Sequence, residues 1–521
     1  MVPPTSRLKT GIHAGTLALI VLLLYWPALF FPYVNYDDTT YHFTGKPLDP
    51  GLYATMPVTA LTYELERTVF GMNPFVSHLI NVLLHMAVTL MVYGLFREAL
   101  DQWKPGNRWV EASAWAGALL FALHPLRVEP VAWASGRREL LCGLFYAAAL
   151  WAYLRYSRER EGRHGGHRML GVALVLYVLA LGSKFMAGSL PILMWGWDIL
   201  RKRRTVRECV CEKGWFVGAT VLFAGIYVWA YTPGPQSLEQ APILFRLVNA
   251  GVVYGFYLQR TIMPLDLVPA YVFYNGTFHL EPADFVAAGA VALALALGLW
   301  KGTTPVRVFL VCLTAAFGPV LGVVSLGNIH AADRYTYIPS LLIFLAVSAG
   351  LLWLRNWRVM GRGGQMMVAS GIGLLAGVLF FISRPQIMIW SDTYALWEHQ
   401  VKILPQPAIY YSLGENATAA GDHVRAIRYY EGAVGLVPQS PTALFLLALA
   451  HYNAGHGAEA AHFAERSLAA RPGFARALWL KSFLVASPEE SGRLYGEALR
   501  NDPTIRTLKR PPAVEQQIRR P

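Results

Sequence analysis

Charge is scarce in this chain. Only 15% of its 521 residues are Asp, Glu, Lys or Arg, against roughly 25% in ordinary soluble domains. With 55% hydrophobic residues, that scarcity excludes a freely soluble globular protein and indicates an integral membrane protein. Cysteine is scarcer still. Cys142 and Cys312 fall inside apolar runs and Cys209 and Cys211 in a basic segment, which leaves no disulfide framework, and Cys209-Val210-Cys211 is too closely spaced for a metal knuckle. Acidic residues are outnumbered 32 to 45, giving a net charge of +13. The excess Lys and Arg are dispersed in short links between apolar runs, a topology pattern that does not point to a nucleic-acid partner. Finally, the first apolar run, from about Leu17 to Phe31 behind Arg7 and Lys9, has no small-residue cleavage site after it, so it reads as a retained signal anchor.

What is present is a succession of apolar runs, near 11–31, 79–96, 112–123, 140–154, 169–182, 186–200, 215–231, 246–263, 283–300, 306–325, 338–354 and 366–382. Arg7/Lys9, Arg97 to Arg108, Arg155 to Arg168, Arg201 to Lys213, Lys301 to Arg307 and Arg355 to Arg362 should face the cytoplasm. Between Lys213 and Lys301 the parity then demands an even number of crossings, yet three runs occur there. The run 246–263 carries Arg246, Asn249, Gln259 and Arg260 and is assigned to a helix lying in or on the outer leaflet. About eleven spans result, with the N-terminus cytoplasmic and the C-terminus outside. On the outer side this places Asp37-Asp38, the stretch His124 to Glu139, the turn Gly182-Ser183-Lys184, the loop Tyr231 to Pro282, and Asp333-Arg334-Tyr335.

After residue 400 the chain becomes rich in alanine and repeats every 34 residues: Gly421 recurs as Gly455, Ala426 as Ala460 and Pro438 as Pro472. This is tetratricopeptide spacing. A third unit ends at Pro503 after 31 residues and lacks the inter-helix glycine, as a capping repeat does. The expected division is 1–390 membrane domain, 391–505 repeat domain on the non-cytoplasmic side, and 506–521 disordered tail. The solenoid is expected to bind a protein or to cover the loops beneath it.

Chemistry has few places to reside. Asp37 and Asp38 are adjacent carboxylates at the edge of a low-dielectric region, where mutual repulsion raises one pKa toward general-base values. A hydrated loop or a helix N-cap explains the pair equally well. The stretch His124 to Glu139 brings Arg127, Glu129, Arg137, Arg138 and Glu139 into a short outer loop, which calls for anionic partners. Those partners are Asp37, Asp38 and the loop's own glutamates in a salt-bridge network, or a lipid phosphate matched to the arginine forks. Lys184 and Arg334 each place a further cation at the outer surface, as phosphate ligands or as snorkelling anchors. A divalent metal has little support: His42, His78, His85, His124, His279 and His330 are scattered, without paired ligand spacing, and no cofactor is firmly indicated. Asn275-Gly276-Thr277 and Asn416-Ala417-Thr418 match the glycosylation pattern, a motif short enough to arise by chance.

Several of these blocks occur in one order: N-Y-D-D after the first span, P-V-T-A-L-T-Y, G-M-N-P-F-V-S-H-L-I-N-V-L-L-H, H-P-L-R-V-E-P-V-A-W-A-S-G-R-R-E-L-L, L-G-S-K, A-D-R-Y-T-Y-I-P-S, then the repeats. In that order, and over nearly its whole length, the chain resembles the membrane glycosyltransferases of the GT-C superfamily that carry tetratricopeptide repeats, which are similar to the transmembrane O-mannosyltransferases of animals and their bacterial relatives. The resemblance implies an all-α polytopic membrane protein with a C-terminal α-solenoid. It also implies transfer of a sugar from a polyprenyl-phosphate carrier to a protein or cell-surface glycan hydroxyl on the non-cytoplasmic face, with inversion and without a metal. By the same resemblance, Asp37 is the leading general base, with Asp38 supporting it or exchanging roles with it. Arg137, Arg138, Lys184 and Arg334 would hold the donor phosphate, and His124, Glu129, Glu139 and Asp333 would position them. The chain departs from the pattern at Phe185, where an acid commonly follows Ser-Lys, and at Met56, where an Arg often precedes the Pro. A bacterial inner membrane is the expected location. The alternative is a membrane scaffold whose repeats recruit envelope-assembly proteins over a vestigial site; a transporter is disfavoured, because ionisable residues gather at one face and no inverted repeat is evident.

Overall fold

The computed structural model describes residues 4–38, 50–161, 167–201, 206–230, 241–271, 280–323, 331–356 and 361–508. It divides into two compact units, Met1–Leu396 and Trp397–Pro521. Both are helical, and the β pairing among the described residues is a single bridge between Tyr271 and Ala331.

The first unit opens with α1 (Pro4–Tyr25), then α2 (Pro50–Thr55), α3 (Pro57–Phe70), α4 (Pro74–Trp103) and α5 (Val110–Leu123). It continues through the short α6 (Val128–Ala132) to α7 (Arg137–Glu161), α8 (His167–Ser183), α9 (Leu190–Arg201) and α10 (Val206–Ala230). The unit closes with α11 (Ile243–Ile262), α12 (Pro282–Lys301), α13 (Thr304–Phe317), α14 (Pro339–Asn356), α15 (Arg362–Met388) and the start of α16 (Thr393–Ile403). Among the described residues, five helical stretches are long and apolar enough to cross a membrane: Lys9–Phe30, Pro74–Trp103, Val210–Ala230, Pro282–Lys301 and Arg362–Met388. Four shorter apolar helical stretches accompany them, Val110–Leu123, His167–Ser183, Thr304–Val320 and Pro339–Leu354. Length and composition alone therefore support fewer crossings than the eleven expected. The difference arises because several apolar runs form helices under about 20 residues, the length a full crossing needs.

One helix was absent from the hydropathy reading, and one polar-interrupted run is a helix as expected. The segment 57–70 gives no apolar run because Glu64, Glu66 and Arg67 interrupt it, yet it forms α3, with Pro57 in its first turn. Leu61, Leu65 and Val69, spaced one helical turn apart, are exposed, while Thr59, Tyr63 and Glu66 are buried. The run 246–263 is a continuous 20-residue helix despite its polar residues. Two of those residues turn inward, Asn249 being fully buried and Arg246 Nη1 donating to the Val323 carbonyl at 3.0 Å, while Gln259 is exposed.

Helices α11 and α12 run in the same direction. A side chain at Gly251 would collide with Ala288, and one at Gly255 would press on Val291, so the register advances along both helices together. Glycine permits this close approach. After α11, residues 263–271 are non-helical and are tied down by Gln386 Nε2 to the Leu267 carbonyl (3.1 Å) and by the bridge to Ala331. On another face of α11, Tyr254, Leu258 and Thr261 line an apolar cavity of about 300 Å³ shared with α12, α13 and α14.

The second unit contains helix pairs α17 (Pro407–Ala419) with α18 (His423–Leu436), α19 (Pro441–Asn453) with α20 (Gly457–Ala470), and α21 (Ala475–Ser482) with α22 (Pro488–Asn501). Gly421 and Gly455 turn the first two pairs with φ of 75° and 82°, a left-handed conformation that glycine adopts without strain. The third pair has an eight-residue first helix. Ala448, Ala460, Ala464, Ala477 and Leu480 form part of its core. The expected disordered tail 506–521 lies outside the described residues from Lys509 onward.

Candidate active site

The acidic pair follows the end of α1 at a fixed position. Arg384 Nη1 donates to the carbonyls of Leu23 (3.4 Å) and Leu24 (3.3 Å), groups that the helix terminus leaves open. A 3₁₀ turn at Trp26–Phe30 follows, and the chain then tightens over Val34 to Asp38. There the two carboxylates diverge. Asp38 is buried; its Oδ2 accepts from Val34 N (3.0 Å), and its Oδ1 from Ser135 N (3.0 Å) and Ser135 Oγ (2.5 Å). Burial pushes its carboxyl up to about 7, against the lowering effect of the Ser135 and Val34 donors. Asp37 has φ of 59°, an uncommon value for a residue other than glycine, and sits at the centre of a three-residue turn closed by Asp38 N to Tyr36 O at 2.8 Å. Its side chain is 45% exposed and lies 3.6 Å from Arg138 Nη2.

The stretch His124 to Glu139 is a folded insertion. It forms a 3₁₀ turn at Pro125–Arg127, then α6, a second 3₁₀ turn at Ala134–Gly136 and the start of α7, and nearly all of it is buried. His124 Nε2 faces the Thr261 carbonyl at 3.0 Å, while Nδ1 accepts from Leu126 N at 3.3 Å, an arrangement that requires the proton on Nε2. Burial pushes the imidazole down to about 3, so it is neutral and anchors the insertion to α11. At the other end, Asn81 Nδ2 donates to the carbonyls of Trp133 (2.8 Å) and Ala134 (3.1 Å), and Tyr63 Oη donates to Ser135 O (3.0 Å).

These contacts build a two-layer cluster. In the buried layer, Glu129 accepts from both Arg334 Nη1 and Arg334 N, and Arg334 Nη1 also lies 3.2 Å from Tyr36 Oη. Glu139 joins three cations: Lys184 Nζ at 2.6 Å, Arg138 Nε at 3.5 Å and Arg334 Nε at 3.6 Å. Burial would raise the Glu139 carboxyl, but Lys184, Arg138 and Arg334 together hold it below its ordinary value. Asp333 lies behind Arg334 and accepts from Tyr271 Oη at 2.9 Å; burial, reinforced by the Glu129 charge, raises its carboxyl. The reachable layer consists of Asp37, Arg138 at 14% side-chain exposure and Lys184 at 16%. Lys184 also lies over the Tyr335 ring at 4.8 Å.

Arg137 differs from its neighbour Arg138. It is fully buried and paired with Glu66 of α3, with Thr62 O and Asn81 Oδ1 each at 3.4 Å from its guanidinium and the Tyr63 ring beneath it. This location gives it a scaffold contact and leaves Arg138 and Lys184 as the cations near the surface. Arg127 is likewise buried, bonded to Thr336 Oγ1 (2.6 Å) and Ser340 Oγ (3.0 Å). Residues that the sequence reading did not single out include Trp133, Ser135, Glu66 and Tyr335. The signal for Trp133 was its place inside the densest motif; none existed for Glu66, whose helix was hidden by its own charges. Among the described residues, no group of three His, Cys, Asp or Glu is arranged to hold a metal. His42, His279, His330 and the Asn275-Gly276-Thr277 sequon lie outside the described residues; Asn416 of the second sequon lies within α17.

Comparison with known proteins gives consistent likenesses. Residues 417–482 match the tetratricopeptide-repeat family model. The human protein O-mannosyl-transferase TMTC4 is 24% identical over 428 residues, covering 72% of this chain and 57% of that protein. The human protein O-mannosyl-transferase TMTC1 is 24% identical, covering 74% of this chain and 48% of the relative. Drosophila melanogaster Tmtc1 reaches 37% identity over 139 residues, 26% of this chain and 15% of the relative. The chain thus spans about half the length of the first two relatives. Among solved structures, the Archaeoglobus fulgidus oligosaccharyltransferase tethered to an acceptor peptide aligns with a TM-score of 0.40 and 15% identity, over 78% of this chain and 58% of that one. The chain resembles protein O-mannosyl-transferases, it carries tetratricopeptide repeats, and its apolar helices mark it as an integral membrane protein.

Proposed function

We propose that this chain is a GT-C type membrane glycosyltransferase that moves a sugar from a polyprenyl-phosphate carrier to a hydroxyl of a protein or cell-surface glycan on the non-cytoplasmic face. The supporting observation is the layered cluster, in which one exposed carboxylate, Asp37, stands beside Arg138 and near the Glu139-held Lys184, over a buried ionic floor. Asp37 takes the proton from the acceptor hydroxyl as it attacks the anomeric carbon. Arg138 and Lys184 hold the carrier phosphate and stabilise its charge as the sugar–phosphate bond breaks. Arg334, Glu129, Glu139 and Asp333 fix those cations from below, and Asp38 fixes the turn that presents Asp37. His124 positions the insertion. In this reading about eleven spans place the cluster and the repeats outside the cytoplasm, in a bacterial inner membrane, and the repeats engage a protein acceptor or partner.

The test is transfer from polyprenyl-phosphate mannose in membranes containing Asp37→Asn or Asp38→Asn protein. Asparagine tolerates the left-handed conformation, so Asp37→Asn retains the turn and removes the base together with the charge that faces Arg138. We expect a loss of about 10²–10⁴-fold in kcat for Asp37→Asn and a smaller loss for Asp38→Asn. Transfer unaltered in both correctly inserted variants would refute the assignment and favour a scaffold.

A further inference from the structure

We infer that Trp133 is a positioning residue for the proposed reaction, a single side chain that couples the turn bearing Asp37 to the arginines of the cluster. The inference rests on the catalytic reading of Asp37 given above. Trp133 is completely buried and forms a triangle of rings with Tyr36, on which it stacks at 4.9 Å and 27°, and Trp390, at 6.0 Å and 28°, the latter two lying 6.3 Å apart. The guanidinium groups of Arg138 and Arg334 each lie 5.3 Å from its ring centre. Its indole Nε1 donates to the Tyr36 carbonyl at 2.8 Å.

That carbonyl also closes the turn at Asp37, accepting from Asp38 N at 2.8 Å. The positive φ of Asp37 is an unfavourable conformation that persists only where neighbouring structure enforces it. Trp133 fixes the peptide on the N-terminal side of Asp37, and Asp38 fixes the C-terminal side through Val34 and Ser135. The same indole ring lies under Arg138, the cation paired with Asp37. The relative placement of base and phosphate ligand therefore runs through one ring and one N–H group.

Trp390 supplies the control. It stacks on Trp133, but its own Nε1 has no hydrogen-bond partner, so Trp390→Phe alters packing without removing a hydrogen bond. Trp133→Phe keeps an aromatic ring and removes the N–H. Hydrogen exchange of the full-length protein in nanodiscs should show amides 34–38 exchanging about fivefold to tenfold faster in Trp133→Phe, the effect of losing one neutral hydrogen bond. In Trp390→Phe the same amides should stay within about twofold of the parent. In membranes supplied with polyprenyl-phosphate mannose, Trp133→Phe should lower kcat with the donor KM little changed, because a misplaced base slows chemistry without weakening phosphate binding. Equal exchange at 34–38 in Trp133→Phe and Trp390→Phe would overturn the inference, as would a donor KM that rises while kcat is kept. If the parent protein transfers no sugar yet the exchange contrast is seen, the hold of Trp133 on the Tyr36–Asp37 peptide stands, while the catalytic reading of Asp37, and with it the role of Trp133 in a reaction, falls.

Discussion

Arg137 and Arg138 are adjacent in sequence and opposite in circumstance. Arg137 faces Glu66 with both side chains withdrawn from solvent, whereas Arg138 reaches Asp37 at the surface. A buried pair is costly to break from one side, because the remaining charge is stranded. Glu66→Ala should therefore lower stability by about 3–5 kcal/mol, while Glu66→Leu combined with Arg137→Met should recover most of the loss. Thermal unfolding in detergent compares the two, and near-equal midpoints would show the pair to be solvated. Asp38 supplies a pH dependence. Its folded carboxyl lies near 7, above the ordinary value of 3.8, so the native state holds a proton that the unfolded state has released. The resulting stabilisation is complete below the ordinary value and is lost as pH rises through about 7. Melting temperature should fall between about pH 4 and 7 and level off above that, and Asp38→Asn should flatten that slope; an unchanged slope in the variant would assign it to another group.

At the scale of elements, the contact of α11 with α12 depends on Gly251. A methyl group there would meet Ala288 Cβ at 2.7 Å and Cα at 2.8 Å, whereas at Gly255 it would meet only Val291 Cγ2 at 3.2 Å. Gly251→Ala should cost about 1–3 kcal/mol by forcing the helices apart, and Gly255→Ala should cost less; equal melting shifts would contradict the parallel packing. Helix legibility followed hydropathy. Segments such as α4, α12 and α15 were visible as long apolar runs because lipid-facing helices need no alternation of polar residues. Helix α3 was hidden because its lipid-like face and its charged, buried face average to neither, and Glu66 was invisible with it. The repeats were legible to the residue, since Gly421 and Gly455 mark turns whose left-handed backbone favours glycine.

Over the whole molecule, the sequence could gather the cluster's members by topology but could not rank them. Counting basic links placed Asp37, Asp38, Arg137, Arg138, Lys184 and Arg334 on one side. Which charges end in the floor and which at the surface depends on side-chain direction: Asp38 and Arg334 are buried while Asp37 and Lys184 are reachable. That direction is set by contacts between distant segments, such as Ser135 with Asp38 and Thr336 with Arg127, which no local pattern encodes. The bond from Arg334 to Tyr36 closes a separation of 298 residues. Viewed along the time course of synthesis, the acidic turn emerges early and waits through most of the membrane unit for the arginine that completes its floor. A chain halted before that point already carries Asp37, Arg138 and Lys184 but leaves Glu129 without the cation it is buried against.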